Sequence, residues 1–162
     1  MYERKTQSSS MTHPNFLTPL QHDILSPLVG KIATGFKREH TPDPLLFSDK
    51  VTVRLRLLDR TDSEVLLGIH TKQLGKQGAQ SPITLNVGVN LLISEPADPR
   101  ESILGFEREE QLELQELLRQ PLNSVYLLKN RSLVLRFLNQ ALKFEAIRDE
   151  QGLLALKWEV YV

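Results

Sequence analysis

The last ten residues of the chain, LLALKWEVYV, alternate between apolar and polar positions. Every second residue from Leu154 to Val162 is apolar, and the positions between them include Lys157 and Glu159. A repeat of two residues places all the apolar side chains on one face of an extended backbone. The pattern therefore predicts a β-strand with one buried face at the end of the chain.

The segment before this strand, Ser132–Arg148, is apolar enough to fit either one buried helix or a pair of strands. A hairpin between Leu142–Asp149 and Leu153–Val162, with Gly152 in a left-handed position of its loop, favours the strands. Its register pairs apolar residues with each other and acids with bases: Phe144 with Trp158, Ala146 with Leu156, Leu142 with Val160, Glu145 with Lys157 and Lys143 with Glu159. A helix offers no reason for this agreement. We predict strands here, preceded by another over Asn123–Leu128.

Three further segments predict strands in the first half of the chain. Lys50–Leu58 alternates between aliphatic residues and Lys, Thr or Arg, and Glu64–His70 follows it after a turn-forming stretch. Ile83–Ile93 alternates over eleven residues. We expect the three to form an antiparallel segment.

Two regions predict helices from apolar residues at spacings of three and four. The first covers Phe16–Phe36, with Pro27 expected to break or kink it and Gly35 expected to end it. The second begins at Pro99 after a possible cap at Asp98 and ends near Gln120.

Together these elements predict an α+β fold. Its order is an N-terminal helix, a three-stranded antiparallel segment, a second helix and a C-terminal antiparallel meander, on the same sheet or in a partly closed barrel. Residues 1–15 are polar and predict a disordered tail, and residues 16–162 predict a single domain.

The amino-acid composition excludes some classes of function for this protein. The chain of 162 residues contains no Cys, which excludes thiol catalysis and Cys-ligated metals and is typical of a reducing cytoplasm, where we place the protein. Its 20 basic and 20 acidic residues balance, which argues against a nucleic-acid-binding domain. No apolar run is long enough for a membrane span.

The chain also lacks the motifs that carry common catalytic chemistry. It has no phosphate-binding glycine loop, no nucleophile elbow and no H-E-x-x-H sequence. The glutamates of the second predicted helix, Glu109, Glu113 and Glu116 among them, alternate with polar residues as on a solvated face. We therefore predict no catalytic residues, no metal site and no cofactor.

One surface is a candidate for binding. If Val53 and Val87 face the core, the opposite face of the three strands is polar and partly basic, and its candidate binding residues are Arg54, Arg56, His70, Asn86 and Asn90. An antiparallel sheet often leaves one face in water, so plain solvation is the alternative. The face lacks the aromatic residues that stack on single-stranded bases, which favours a protein partner over RNA.

These observations predict a non-enzymatic accessory protein that acts through a protein–protein interface, by a sheet face or by forming a homo-oligomer. Two alternatives remain open. One is a small-molecule carrier or enzyme with a pocket between a curved sheet and a helix. The other is a weak nucleic-acid binder that uses the basic strand face.

Overall fold

The computed structural model describes residues 19–56, 63–75, 81–93 and 102–162. In these residues it contains two α-helices and nine strands, arranged in two sheets. The helices are α1 (Pro19–Leu25), which continues into a 3₁₀ turn (Ser26–Leu28), and α2 (Arg108–Gln115). The strands are β1 (Ile32–Glu39), β2 (Lys50–Arg56), β3 (Ser63–Gln73), β4 (Ile83–Ile93), β5 (Ile103–Leu104), β6 (Leu122–Leu127), β7 (Leu133–Phe137), β8 (Ala141–Arg148) and β9 (Leu154–Tyr161).

The N-terminal sheet has the strand order β4-β3-β2-β1-β5. Neighbouring strands from β4 to β1 are antiparallel, and β5 joins β1 in parallel over two residue pairs. The C-terminal sheet is an antiparallel meander with the order β9-β8-β7-β6. The fold therefore contains both helices and strands, and strands predominate. This agrees in outline with the predicted α+β class.

Both sheets contribute to one hydrophobic core. Val53 and Leu67 of the N-terminal sheet and Leu135 and Phe144 of the C-terminal sheet are fully buried in the same cluster. Backbone hydrogen bonds tie the sheets together at one corner, where Ala33 N donates to Gln120 O and Arg119 N donates to Ala33 O. Neither sheet closes on itself within the described residues, so neither a single sheet nor a partly closed barrel describes these strands.

The C-terminal hairpin has the register predicted from its side chains. Phe144 lies opposite Trp158, Glu145 opposite Lys157 and Lys143 opposite Glu159. The Lys143 Nζ and Glu159 Oε1 atoms are 2.8 Å apart. The strand interpretation of residues 132–148 is confirmed, and the helical alternative is wrong.

The first predicted helix is wrong over its second half. Helix α1 ends at Leu25, one 3₁₀ turn follows, and β1 begins at Ile32. Pro27 cannot donate a helical hydrogen bond, so the break expected there occurs. Gly35 does not end a helix: it lies inside β1 where Ser102 O would be only 2.7 Å from a Cβ atom. The absence of a side chain allows this close approach.

The second predicted helix is shorter than expected. Helix α2 begins at Arg108, after β5, and the predicted start at Pro99 lies outside the described residues. The backbone N–H of Glu107 donates to Glu110 Oε1 at 2.9 Å, which stabilises the first turn of the helix. Leu114 of α2 and Leu117, which follows the helix, are buried, whereas Leu112 is exposed. Glu109, Glu113 and Glu116 are exposed, as expected of a solvated face.

Some predictions lie outside the described residues. These are the polar tail over residues 1–15, the first residues of both predicted helices with the cap at Asp98, and Leu57–Leu58 at the end of the predicted strand Lys50–Leu58. Within the described ranges, no helix is long and apolar enough to cross a membrane.

Candidate binding face

The outer face of the N-terminal sheet is the face that points away from the hydrophobic core. On β2 it carries Lys50, Thr52, Arg54 and Arg56, which alternate with the buried residues Val51, Val53 and Leu55. Strand pairing aligns this face across four strands. The five predicted binding residues, Arg54, Arg56, His70, Asn86 and Asn90, all occupy outer-face positions.

A trough crosses the middle of this outer face. Gly68 of β3 lies between Thr52 of β2 and Gly88 of β4, so two neighbouring positions have no side chain. The trough has a volume of about 300 Å³, and its lining includes Gly68, Thr52, Leu66 and Asn90. A Cβ atom on Gly88 would have no atom within 4 Å, which shows that the space above it is open.

Basic side chains surround the trough. Lys37 of β1, Lys50 and Arg54 line it, together with the single carboxylate of Glu39. The Lys50 side chain extends across Gly68 into the space that a Cβ atom there would need. Lys37 and Glu39 form an ion pair with 3.7 Å between Nζ and Oε2, and both side chains are about half exposed. Lys37 is paired with Glu39 and Arg54 lies against the buried Glu64, so Lys50 supplies the positive charge of the lining that favours an anionic group.

A buried carboxylate lies beside the trough. Glu64 is only 3% exposed. Its Oε2 atom accepts a hydrogen bond of 2.8 Å from the Thr34 hydroxyl and is 3.5 Å from Arg54 Nε. Its Oε1 atom is buried without a hydrogen-bond partner, as is Nε of Arg56, the residue opposite Glu64. Arg54 therefore has a structural role as the counterion of Glu64, in addition to its place at the trough.

His70 occupies the end of the outer face away from Glu64. Its ring contacts Phe47 edge to face, with 5.5 Å between the ring centroids, and its Nε2 atom is buried without a hydrogen-bond partner. Burial, followed by the nearby charges of Lys50 and Lys72, lowers the pKa of His70 below the ordinary value of 6.5. His70 is therefore neutral at pH 7 and does not add to the positive charge of the face.

This lowered pKa predicts a contribution of His70 to acid sensitivity. As the pH falls through 6.5, the unfolded chain binds a proton at His70 and the folded protein does not, so stability decreases. The decrease ends below the lowered pKa of the folded state. We expect His70→Gln to flatten this part of the pH profile, measured as the free energy of unfolding between pH 7 and pH 5. If an NMR titration of the wild type gave the His70 ring a pKa at or above 6.5, His70 would not be the source of this acid sensitivity.

The predicted residues do not all meet at one point. Arg54 and Asn90 line the trough, whereas Arg56, His70 and Asn86 lie on the same outer face outside its lining. The prediction of binding residues missed Lys37 because the helical spacing before it concealed the strand β1. It also missed Glu64, whose outward position in the strand pattern gave no sign that it would be buried. The alternation of Lys50 with Val51 could have identified Lys50 as a binding residue.

A second cavity of about 230 Å³ lies between the β1–β2 connection and the terminal hairpin. Arg38, Asp49 and Trp158 line it. Arg38 is held by two carboxylates, with 3.4 Å to Asp49 and 3.8 Å to Glu110. The Arg38 charge is thus compensated within the protein, and this cavity has less reason to attract an anion than the trough has.

The three histidines among the described residues do not converge. His22 is exposed on α1, and His40 Nδ1 lies 3.1 Å from Asp49 Oδ2, whereas His70 is on the outer face. Among the described residues, no group of three or more His, Cys, Asp or Glu side chains is arranged to hold a metal ion.

No family model, curated protein or solved structure matches this chain. Function must therefore be inferred from the residues of the site, because a fold alone does not determine it.

Proposed function

We propose that the protein is a non-enzymatic binding protein that docks an acidic segment of a protein partner on the outer face of its N-terminal sheet. The observation that supports this most is the open trough that Gly68 and Asn90 help to line, bordered by Lys37, Lys50 and Arg54. Charged and polar groups at such a surface steer a partner of opposite charge and fix its orientation.

The shape of the trough favours an extended polypeptide over a small metabolite. Its volume of about 300 Å³ is at the lower end of the range for small-molecule pockets, and it is an open depression across strands. A small molecule would leave much of its surface in water there. A peptide instead contacts the basic residues beyond the trough as well, such as Arg56 and Lys72.

The composition of the face favours a protein over a nucleic acid. The aromatic ring that the structure places on the described outer face is that of Phe47, at its margin against His70. Binding of single-stranded nucleic acid usually uses several aromatic side chains on which bases stack. An acidic peptide needs only the cations and the exposed amides of Asn86 and Asn90.

The test uses a fluorescent peptide of ten alternating Asp and Glu residues and measures its anisotropy with increasing protein concentration. We expect binding that weakens about tenfold in the variant K37Q/K50Q, because two cations of the trough are lost. The control variant K129Q/K157Q removes two charges from exposed lysines outside the N-terminal sheet and should bind like the wild type. Arg54 is left unchanged because it also neutralises Glu64.

Two outcomes of this binding experiment would contradict the proposal. Equal loss in both variants would indicate a general effect of net charge, and loss in neither would mean that the trough is not the site. Both results overturn the proposal. A labelled single-stranded oligonucleotide that binds more tightly than the peptide, or a metabolite that raises the melting temperature in a thermal-shift screen, would favour one of the two alternative functions.

A further inference from the structure

Strand β4 presents an edge that no other strand in the described part of the chain pairs with. It pairs with β3 along its whole length, over eleven residue pairs, and it is the last strand of its sheet. Among the described residues, no strand therefore pairs with the backbone N–H and C=O groups that point away from β3. An edge of this length is a template for association.

The sequence of β4 also lacks the charges and the Pro residues with which proteins often protect edge strands. Its sequence, ITLNVGVNLLI, contains no charged residue and no Pro. Leu91 is 67% exposed although it is apolar. The edge strand of the other sheet, β9, carries Lys157 and Glu159 in its centre. Charges and Pro on an edge normally prevent strand-to-strand association, so their absence from β4 calls for an explanation.

The sequence of β4 is nearly the same in both directions when it is read outward from Gly88. Residues at equal distances from Gly88 are identical in four of the five pairs, and Thr84 with Leu92 is the exception: Val87 and Val89, Asn86 and Asn90, Leu85 and Leu91, Ile83 and Ile93. An antiparallel pair of identical strands places residues at equal distances from its two-fold axis opposite each other. Each of these residues would thus face its own kind.

We propose that β4 pairs with β4 of a second copy of this chain, antiparallel and with the two-fold axis at Gly88. The Val87–Val89 and Leu85–Leu91 pairs then lie on the core side of the sheet, where Leu85, Val87 and Val89 are only partly buried in the single chain. The Asn86–Asn90 pairs lie on the outer face, where both amides are exposed. Identical apolar pairs and amide pairs of this kind stabilise a strand pair.

The dimer joins the two N-terminal sheets into one sheet of ten strands. Gly88 and Gly68 of one copy then stand in a row with Gly88 and Gly68 of the other, and the two troughs lie on the same face of the joined sheet. This inference does not depend on an acidic partner. The dimer can form without any ligand, and the single trough can bind a peptide without the dimer.

Cysteine cross-linking tests the register directly, because the chain has no Cys of its own. Facing Cα atoms in an antiparallel pair are about 4.5–5.5 Å apart, within the range for a disulfide. We expect the Gly88→Cys variant to form a covalent dimer under mild oxidation. Asn86→Cys alone should cross-link at least about tenfold more slowly, because position 86 faces position 90. A mixture of Asn86→Cys and Asn90→Cys should cross-link efficiently between the two variants.

Charge substitution tests the same interface without a covalent bond. By analytical ultracentrifugation, the wild type should dimerise, whereas N86K/N90K and N86E/N90E should each remain monomeric, because like charges face each other across the axis. A one-to-one mixture of the two variants should form a heterodimer. The variant N123K/N139K, with the same change at exposed positions outside the N-terminal sheet, is the control and should dimerise.

The proposal fails if the wild type is monomeric at about 100 μM, a concentration at which even weak specific complexes form. It also fails if Asn86→Cys cross-links as fast as Gly88→Cys, or if mixing the oppositely charged variants restores no dimer. Loss of acidic-peptide binding in K37Q/K50Q with unchanged dimerisation would show that the two surfaces act separately. A monomeric wild type that still binds the acidic peptide would overturn the dimer and leave the proposed peptide site intact.

Discussion

The Phe144→Ala variant is expected to lose about 3–5 kcal/mol of unfolding free energy, the usual cost of removing a large buried aromatic side chain. Phe144 is fully buried, and β8 places it between Leu133 of β7 and Trp158 of β9. It thus packs at the centre of the C-terminal sheet and in the core shared with the N-terminal sheet. The cavity left by alanine cannot close without moving strands that pair on both sides.

Urea denaturation measures this loss, followed by the fluorescence of Trp158, the single Trp of the chain. The Trp158 ring lies against Phe106, with 5.5 Å between the centroids, so its emission should change when the core opens. Phe47→Ala serves as the matched control, because Phe47 is 38% exposed. A loss for Phe144→Ala no larger than the loss for Phe47→Ala would show that the core is not packed around this residue.

The Arg54→Met variant is expected to lose about 2–4 kcal/mol, because it leaves the buried carboxylate of Glu64 without its nearest cation. The Thr34 hydroxyl would be the donor that remains to Glu64 Oε2. Methionine keeps much of the length of the arginine side chain, so the change tests the charge more than the packing. Chemical denaturation at pH 7 gives the difference from the wild type.

The double variant R54M/E64Q separates the ion pair from other effects of Arg54. Adding Glu64→Gln is expected to restore most of the stability lost in Arg54→Met, because a neutral amide needs no counterion and still accepts from Thr34. Arg56 is the other candidate for the counterion of Glu64, since it lies across from Glu64 and its Nε atom has no hydrogen-bond partner. If Arg56→Met costs more than Arg54→Met, Arg56 is the true counterion.

The strands of this protein follow closely from the alternation of its residues. Ile83–Ile93 has the bounds predicted for it, and the terminal hairpin has the predicted register. The positive φ of 82° at Gly152 agrees with the left-handed position assigned to it in the hairpin loop. Local pattern was sufficient in these places because a strand with one buried face shows its parity in the sequence.

Around β1 the local sequence pattern was insufficient to predict the correct secondary structure. Residues 32–36 fit a helical spacing when Ile32 is counted with the apolar residues before it, yet they form a strand. Hydrogen bonding to β2 along one edge, and to β5 and residues 119–122 along the other, outweighs this local preference. The pairing of β1 with β2 also places Lys37 on the outer face. Which residues line the trough therefore depends on how the strands pair in the tertiary structure.

By itself the sequence determined which residues share a face: the apolar parity of β2, β4 and β9, the outer-face positions of Arg54, Arg56, His70, Asn86 and Asn90, and the paired charges of the terminal hairpin. Those properties depend on a repeat of two residues along one strand. Tertiary structure alone decided that the strands form two sheets, that Glu64 is buried against Arg54 and that Gly68, opposite Gly88, lines a trough with residues of β1 and β2. These depend on which strands become neighbours, and that choice is made by burial of a common core from distant parts of the chain.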